Sequence, residues 1–388
     1  MMDLFEIQYY IILVICIFTF LITVSNFFFL NSLRDSFGMF EDVADGELVS
    51  VLIPARNEET KIGLSLAALV LQRYTPMEIL VLDDNSGDNT LEIIRSFEQR
   101  DDRIRVIKGK ELPDGWIGKN WACHQLFNEA KGDYLLFIDA DTILAPGAIT
   151  ASMHEASSQS TDLLTVMPKR MAGCVAEKLM YPFLDWFLFS WLPMRAAHKR
   201  KNSYLSASFG QFMLFKKESY NKIGGHYSIW NNPLDDFSLG RMVKRSGLKW
   251  LLFSGAGSVD VLAGKGNVDA FMSISRSLFP AINYSFMVFM LLFSLLFGMC
   301  FIPISTIVGF DKLSSPGSEF VFISYLSLSL IAISWVIVCK KFEHSIVTVV
   351  FYPLCISLMF IAAWHSVIAY NLRLTTWKDR RLFGSIIK

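Results

Sequence analysis

The run LVSVLIPARNEETKIGLSLAALVLQRYTPMEILVLDD, Leu48–Asp84, reads as strand, helix, strand. Its ends, LVSVLIPA and MEILVLDD, are continuous β-branched and leucine runs, as parallel strands covered on both faces require. The middle repeats apolar residues at helical spacing, and NTLEIIRSFEQRDD, Asn89–Asp102, repeats that rhythm after the second strand. This βαβ alternation predicts an α/β fold, a doubly wound and mostly parallel sheet. Such sheets bind ligands beyond the carboxyl ends of their strands, so chemistry is sought there.

Three strand ends carry acids. The first runs into PARNEE (Pro54–Glu59) and the second into DDNSGDNT (Asp83–Thr90). The third, LLFIDADTIL (Leu135–Leu144), reads as one buried strand bearing Asp139 and Asp141. Residues two apart in a strand face the same way, so these two carboxylates converge. Like charges held close repel, and a divalent cation shared with a substrate diphosphate relieves the repulsion. Each feature has a plain alternative: a solvated turn for Asp-Ala-Asp, an Asx-rich cap for DDNSGDNT, a helix N-terminus for PARNEE. Their succession on three strands of one sheet argues for a shared site.

Composition places part of the chain in a membrane: 388 residues, 53% hydrophobic, with 33 phenylalanines, exceed what a soluble enzyme of this length carries. Lysine plus arginine equals aspartate plus glutamate at 36 each, which leaves no basic excess for a nucleic acid partner. Six cysteines without a CxxC pair or metal spacing predict reduced thiols and a cytosolic catalytic part. An uncharged run from about Tyr9 to Leu30 is long enough to span, and Asp3 and Glu6 before it are unlike the basic start of a signal peptide. Arg34 after it puts the following domain on the cytoplasmic side of the cell membrane.

Three further candidate spans are Phe279–Phe310, Phe320–Cys339 and Ile346–Tyr370. Three single crossings would leave the basic tail NLRLTTWKDRRLFGSIIK outside, whereas a re-entrant hairpin over Phe279–Phe310 would return it inside. The expected divisions are an anchor and linker over 1–45, a catalytic domain over 46–264, and membrane helices with the tail over 265–388.

VLIPARNEE, LVLDDNSGDNT, GDYLLFIDADT, FMLFKKESYNKIGGH and DDFSLGRMVKRSG follow in the order and spacing of the family 2 glycosyltransferases with a GT-A fold, which the chain resembles from about Val49 to Gly247. The resemblance implies a Rossmann-like catalytic domain and a nucleotide-sugar donor, with UDP-hexose favoured. It implies that Pro54, Ala55, Arg56, Glu58 and Asp84 hold base and ribose, that Asp139 approaches the ribose, and that Asp141 ligates Mn²⁺ or Mg²⁺. Asp236 falls at the general-base position, with Asp235 in the preceding acidic position.

LPDGWIGKNWACHQ and the tail TTWKDRRLF are similar to those of membrane-anchored members that glycosylate carotenoids, hopanoids and other isoprenoid lipids. That likeness implies a lipid or isoprenoid acceptor reached from the bilayer. Two departures stand out: Asp235 where those members commonly have glutamate, and Asp379 where they have glycine.

Lys119, in a glycine-flanked loop, is a candidate phosphate contact, against a solvated surface lysine. His226 reads as a metal ligand or, more simply, as a packing histidine. His365, in the last apolar run, is functional or bonded to a backbone carbonyl. Leu179–Lys201, aromatic and closing on a basic cluster, suits a membrane interface and one wall of an acceptor groove, or else a hairpin of core helices. Pro233 before Asp235 and Asp236 predicts a helix ending at Gly247, whose dipole keeps Asp236 ionised. The rival functions are a processive polysaccharide synthase and a non-catalytic membrane scaffold. Such synthases carry Gln-x-x-Arg-Trp before their membrane helices; here that place holds FMSISRSLFP, and no Arg-Trp pair occurs.

Overall fold

The computed structural model describes residues 4–37, 46–309, 317–378 and 380–381; position 379, one of the two departures above, lies outside them. The first elements are α1 (Leu4–Phe29), β1 (Val49–Ala55), α2 (Ile62–Val70), β2 (Met77–Asp83), α3 (Thr90–Glu98), β3 (Ile104–Lys108), α4 (Gly118–Glu129), β4 (Tyr134–Phe137), β5 (Thr142–Leu144), α5 (Ala148–Ser158), β6 (Leu163–Met167) and β7 (Lys169–Arg170). Then come α6 (Val175–Trp191), α7 (Met194–Lys199), β8 (Met213–Lys216), α8 (Lys217–Lys222), α9 (Asp235–Arg245), β9 (Trp250–Ser254) and β10 (Val259–Val261). The chain closes with α10 (Asn267–Ala281), α11 (Phe286–Val308), α12 (Ser318–Lys341), α13 (Tyr352–Asn371), β11 (Thr376–Trp377) and β12 (Arg380–Arg381).

Two compact units result. A helical unit gathers Met1–Phe29, Ala172–Arg195 and Gly264–Asn371; an α/β unit gathers Leu30–Met171, Ala196–Ala263 and Leu372–Lys388. The sequence divides the chain into consecutive blocks instead. α1 and α6 group with the C-terminal helices, and the tail hairpin groups with the sheet.

The main sheet runs β3-β2-β1-β4-β8-β6-β9. Its strands are parallel except where β8 pairs antiparallel with β4 and β6. Alternation explains its two faces. Val49, Val51, Ile53, Ile79, Val81 and Leu136 point into one core, against Ile62, Leu66 and Leu69 of α2 and Ala148 and Ile149 of α5. Leu52, Leu80, Leu82, Leu135 and Phe137 are buried on the opposite face. There the Phe137 ring lies 5.2 Å from Tyr220 and 4.9 Å from His226. A small second sheet, β5-β10-β7, carries the chain onward from the acidic end of β4.

In the helical unit, four described helices are long and apolar enough to cross a membrane: Glu6–Phe29, Phe286–Val308, Ser318–Lys341 and Tyr352–Asn371. Sparse polar contacts pin them. The Tyr9 hydroxyl meets the Thr306 hydroxyl at 2.9 Å, and Asn26 donates to the Phe189 and Leu192 carbonyls at 2.7 Å each. His365 Nδ1 lies 2.8 Å from the Ser275 hydroxyl, so that histidine is satisfied inside the bundle by a side chain. His344 Nε2 likewise meets the buried Asp185 carboxylate at 2.7 Å.

Trp186 settles the character of α6. It is 1% exposed, stacks on Trp335 at 5.4 Å, and donates its indole N–H to Ser334 at 2.8 Å. α6 thus buries Trp186 in the helix packing of this unit, as the core-helix reading expects. Trp186→Ala is expected to destabilise this unit by about 3–5 kcal/mol, read as a lowered unfolding midpoint of the detergent-solubilised chain. An unchanged midpoint would remove the packing role.

α11 is a single 23-residue helix with Pro303 inside it, so the re-entrant hairpin does not form. The tail packs with the sheet. Lys378 and Arg380 bond Glu58 and Asp84 within the α/β unit.

Candidate active site

The loops after β1 and β2 interlock. Asn57 and Asn85 both take left-handed backbone conformations, φ 52° and 53°, which asparagine tolerates better than most residues. The Asn57 N–H donates to the Ser86 hydroxyl at 3.1 Å, Gly87 N–H to the Asn57 side chain at 2.9 Å, and Glu58 N–H to the Thr90 hydroxyl at 2.7 Å. Arg56 donates to the backbone carbonyls of Asp84 (2.6 Å) and Asn85 (3.0 Å). PARNEE is thus a turn clamped to its neighbour; α2 begins only at Ile62. Pro54 and Ala55 are the last residues of β1, in register with Leu82 and Asp83. Asp84 is 3% exposed and takes a two-pronged contact from Arg380. Burial pushes its carboxyl up, and the Arg380 and Arg56 cations oppose that.

Asp139 and Asp141 do not share a strand. β4 stops at Phe137, the Thr142 N–H bonds the Asp139 carbonyl at 3.1 Å to close a turn, and β5 starts in the other sheet. Each aspartate has its own lysine: Asp139 pairs with Lys119 at 2.8 Å and Asp141 with Lys61 at 3.1 Å. A turn, not strand alternation, gathers these acids. Burial first, then the charges of Asp139 and Glu58, push the Asp141 carboxyl up, with Lys61 opposing.

Lys119, in the first turn of α4, joins this acid pair to the next. Its ammonium also lies 3.2 Å from Asp235. Burial would discharge it, but Asp139 and Asp235 hold its pKa well above the ordinary value. It is neither a free surface lysine nor open to solvent on all sides. Gly210 allows this crowding, since a Cβ there would stand 2.8 Å from the lysine nitrogen. Ahead of Lys119, the Trp116 ring packs among Trp121, His124, Tyr227 and Trp230.

Asp235 and Asp236 open α9, which ends at Arg245 before Gly247 turns left-handed. Asp236 accepts from the Gly210 N–H at 3.1 Å and from the Phe237 N–H at 2.7 Å. The two carboxyls are driven apart. Burial tends to raise Asp235, but Lys119 and His226 outweigh it and hold Asp235 well below the usual carboxylate range. For Asp236, burial and the Asp235 charge prevail and push its pKa up to about 7. The helix dipole does not keep Asp236 firmly ionised, because desolvation and a like charge next door are larger effects.

His226 is fully buried behind Asp235, its Nε2 3.7 Å from that carboxylate. Tyr220 accepts the His226 backbone N–H at 3.0 Å while its hydroxyl lies 2.6 Å from Nδ1. With that hydroxyl donating, the ring proton belongs on Nε2, facing Asp235. His226 therefore backs an acid. Lys61 and Gly210 lie outside every quoted family motif, and Tyr220, Lys378 and Arg380 lie inside quoted motifs that give them no role of their own: each matters through an acid that three-dimensional folding brings to it. Among the described residues no three His, Cys, Asp or Glu side chains form a ready-made metal cage.

Residues 50–224 match the family described as glycosyl transferase family 2. The chain is similar to 4,4'-diaponeurosporenoate glycosyltransferase of Staphylococcus aureus (strain USA300), 29% identical over 215 residues covering 53% of this chain and 54% of that one. The protein of that name from Staphylococcus haemolyticus (strain JCSC1435) is 30% identical over 227 residues, covering 57% and 58%. The chain spans about half the length of the curated relatives it matches. A solved structure, a mannosyltransferase from Pyrobaculum calidifontis in complex with GDP-Man and Mn²⁺, superposes with a TM-score of 0.56 at 12% identity, covering 95% of this chain and 100% of that one. At that identity the likeness speaks for the fold, which is GT-A.

Proposed function

We propose, on the premise that residues 50–224 are a family 2 glycosyl transferase domain, that the chain moves a sugar with inversion from a nucleotide-diphosphate donor, of the UDP-hexose class, to a lipid or isoprenoid acceptor. The observation that carries this is the split pair on α9: Asp236 poised near neutrality beside an Asp235 held ionised by Lys119. Two neighbouring carboxyls with separated affinities for a proton are the mark of acid–base work. As the acceptor oxygen attacks the anomeric carbon, Asp236 takes its proton. The glycosidic C–O bond forms while the bond from the sugar to the diphosphate breaks, and the electron pair leaves with the diphosphate.

Asp141 and Asp139 suit a divalent ion. Burial and then the neighbouring charges of Asp139 and Glu58 push Asp141 up, and ions of the Mg²⁺ class are commonly held by one or two carboxylates together with phosphate oxygens. When bound there, Mn²⁺ or Mg²⁺ would offset charge on the leaving diphosphate. Pro54, Ala55, Arg56, Glu58 and Asp84 are read as the nucleoside side of the donor site. A hydroxyl acceptor suits Asp236, since an alcohol must lose a proton, whereas the relatives' name denotes a carboxylate. Arg34 after α1, and the cations of a tail on the same side as the sheet, favour a cytoplasmic catalytic face.

Lys119 is read as a positioning residue that keeps Asp235 ionised and draws Asp236 down. Lys119→Met is expected to cut kcat about tenfold or more and to shift the acid limb of the pH–rate profile upward. A raised donor KM with an unmoved limb would make it a phosphate contact instead. The function itself is tested by mass spectrometry of lipid extracts from cells with and without the gene. A hexose-sized increment that depends on the gene is the expected result. Absence of any such lipid, together with no hydrolysis of donor by the purified chain, would favour a scaffold.

A further inference from the structure

We infer that the C-terminal hairpin is a wall of the donor-nucleotide subsite, in which Arg380 and Lys378 position Asp84 and Glu58 for the nucleoside. This rests on the reading of the α/β unit as a nucleotide-sugar transferase. β11 and β12 pair Thr376 with Arg381 and Trp377 with Arg380, and the turn between them places Lys378 in a left-handed conformation, φ 45°. The hairpin reaches back across almost the whole chain. Arg380 Nη1 donates to Asp84 Oδ2 at 2.5 Å and Nη2 to Oδ1 at 3.1 Å. Lys378 Nζ bonds both the Glu58 carboxylate and the Arg56 carbonyl.

The residues ascribed to the nucleoside are therefore tied to one another through the tail. Gly118 makes room for this: a Cβ at that position would stand 2.5 Å from Arg380 Nη1 and 3.2 Å from Asp84 Oδ2. A guanidinium fork uses one side of a carboxylate and leaves its outer lone pairs free to accept. Arg380 thus opposes the upward push of burial on Asp84 and holds it turned, without consuming it, toward an N–H donor of the ligand. Uracil offers such a donor at its N3–H, and guanine at its N1–H and exocyclic amine.

The test uses the full chain in detergent, with UDP and GDP as probes titrated calorimetrically in the presence of Mn²⁺, and donor hydrolysis followed in parallel. Arg380→Ala is expected to weaken binding of the preferred diphosphate about tenfold to a hundredfold, as loss of a charge-assisted pair at a buried acid does. Donor KM should rise in step, with kcat within about threefold, because the reacting atoms are untouched. Arg380→Lys should recover only part of the loss, lacking the fork. Gly118→Ala, which changes no charge but unseats Arg380, should reproduce it. Unchanged binding in both Arg380→Ala and Gly118→Ala would overturn the inference while leaving the proposed function intact. Tighter binding would overturn it too, by making the hairpin a strap that competes with the donor. If the wild-type chain binds neither diphosphate and hydrolyses no donor, the proposed function fails and takes this inference with it.

Discussion

Asp236→Asn is expected to lower kcat by about 10²-fold or more with a hydroxyl acceptor, because an amide cannot take the proton that the attacking oxygen must lose. The substitution preserves shape, and its amide oxygen can still accept from the Gly210 N–H, so the fold should survive. The pH dependence follows from the raised affinity of Asp236 for its proton. Only the ionised carboxylate is a base, and burial with the Asp235 charge disfavours that form until the pH exceeds about 7. Wild-type kcat/KM should therefore climb with pH and level off above that point, and the climb should vanish in the variant. A carboxylate acceptor arrives ionised and needs no base. Rates with such an acceptor should be spared. Near-wild-type rates with the alcohol would reject the base, and loss with both acceptors would mean that Asp236 positions substrate.

How much of this was legible in the sequence depends on the kind of residue. β1 and β2 are legible because a strand buried on both faces must be apolar throughout, and Val49–Ala55 and Met77–Asp83 leave no other reading. The boundary at Phe137 is not, because Ile138 and Ala140 are as apolar as the strand before them, and nothing in LLFIDADTIL says that its last three residues join another sheet. Asp139, Asp141, Asp235 and Asp236 could be singled out as acids at element ends. Which lysine meets which aspartate could not, since Lys61 and Lys119 are assigned by tertiary placement alone. The same holds for Leu179–Lys201, where aromatic composition is shared by an interface and a helix core, and only the stacking of Trp186 on Trp335 separates them. The tail is the extreme case: its basic residues resemble a membrane-flanking cluster until Arg380 is seen on Asp84.

Asp141→Ala is expected to bring transfer to background. The carboxylate sits where negative charge is already concentrated, pushed up by burial and by Asp139 and Glu58, and Lys61 is its counterion. A donor diphosphate adds further negative charge at the same sheet edge, which one ammonium cannot balance. A divalent ion can, and the stabilisation that such an ion lends to a departing diphosphate is typically several kcal/mol, on the order of a thousandfold in rate or more. Removing Asp141 leaves Asp139, itself paired with Lys119, as the remaining carboxylate of the pair, and a single acid holds Mg²⁺-class ions weakly. Two measurements separate this from a folding defect. Chelator should abolish nucleotide-sugar binding by the wild-type chain, whereas the variant should bind weakly whether or not chelator is present. Lys61, freed of its partner, retains the Leu262 carbonyl at 3.4 Å, so the unfolding midpoint should move little. Full activity of Asp141→Ala in chelator would end the metal assignment, and undiminished wild-type turnover in chelator would shift the burden of balancing the diphosphate to Lys61 and Lys119.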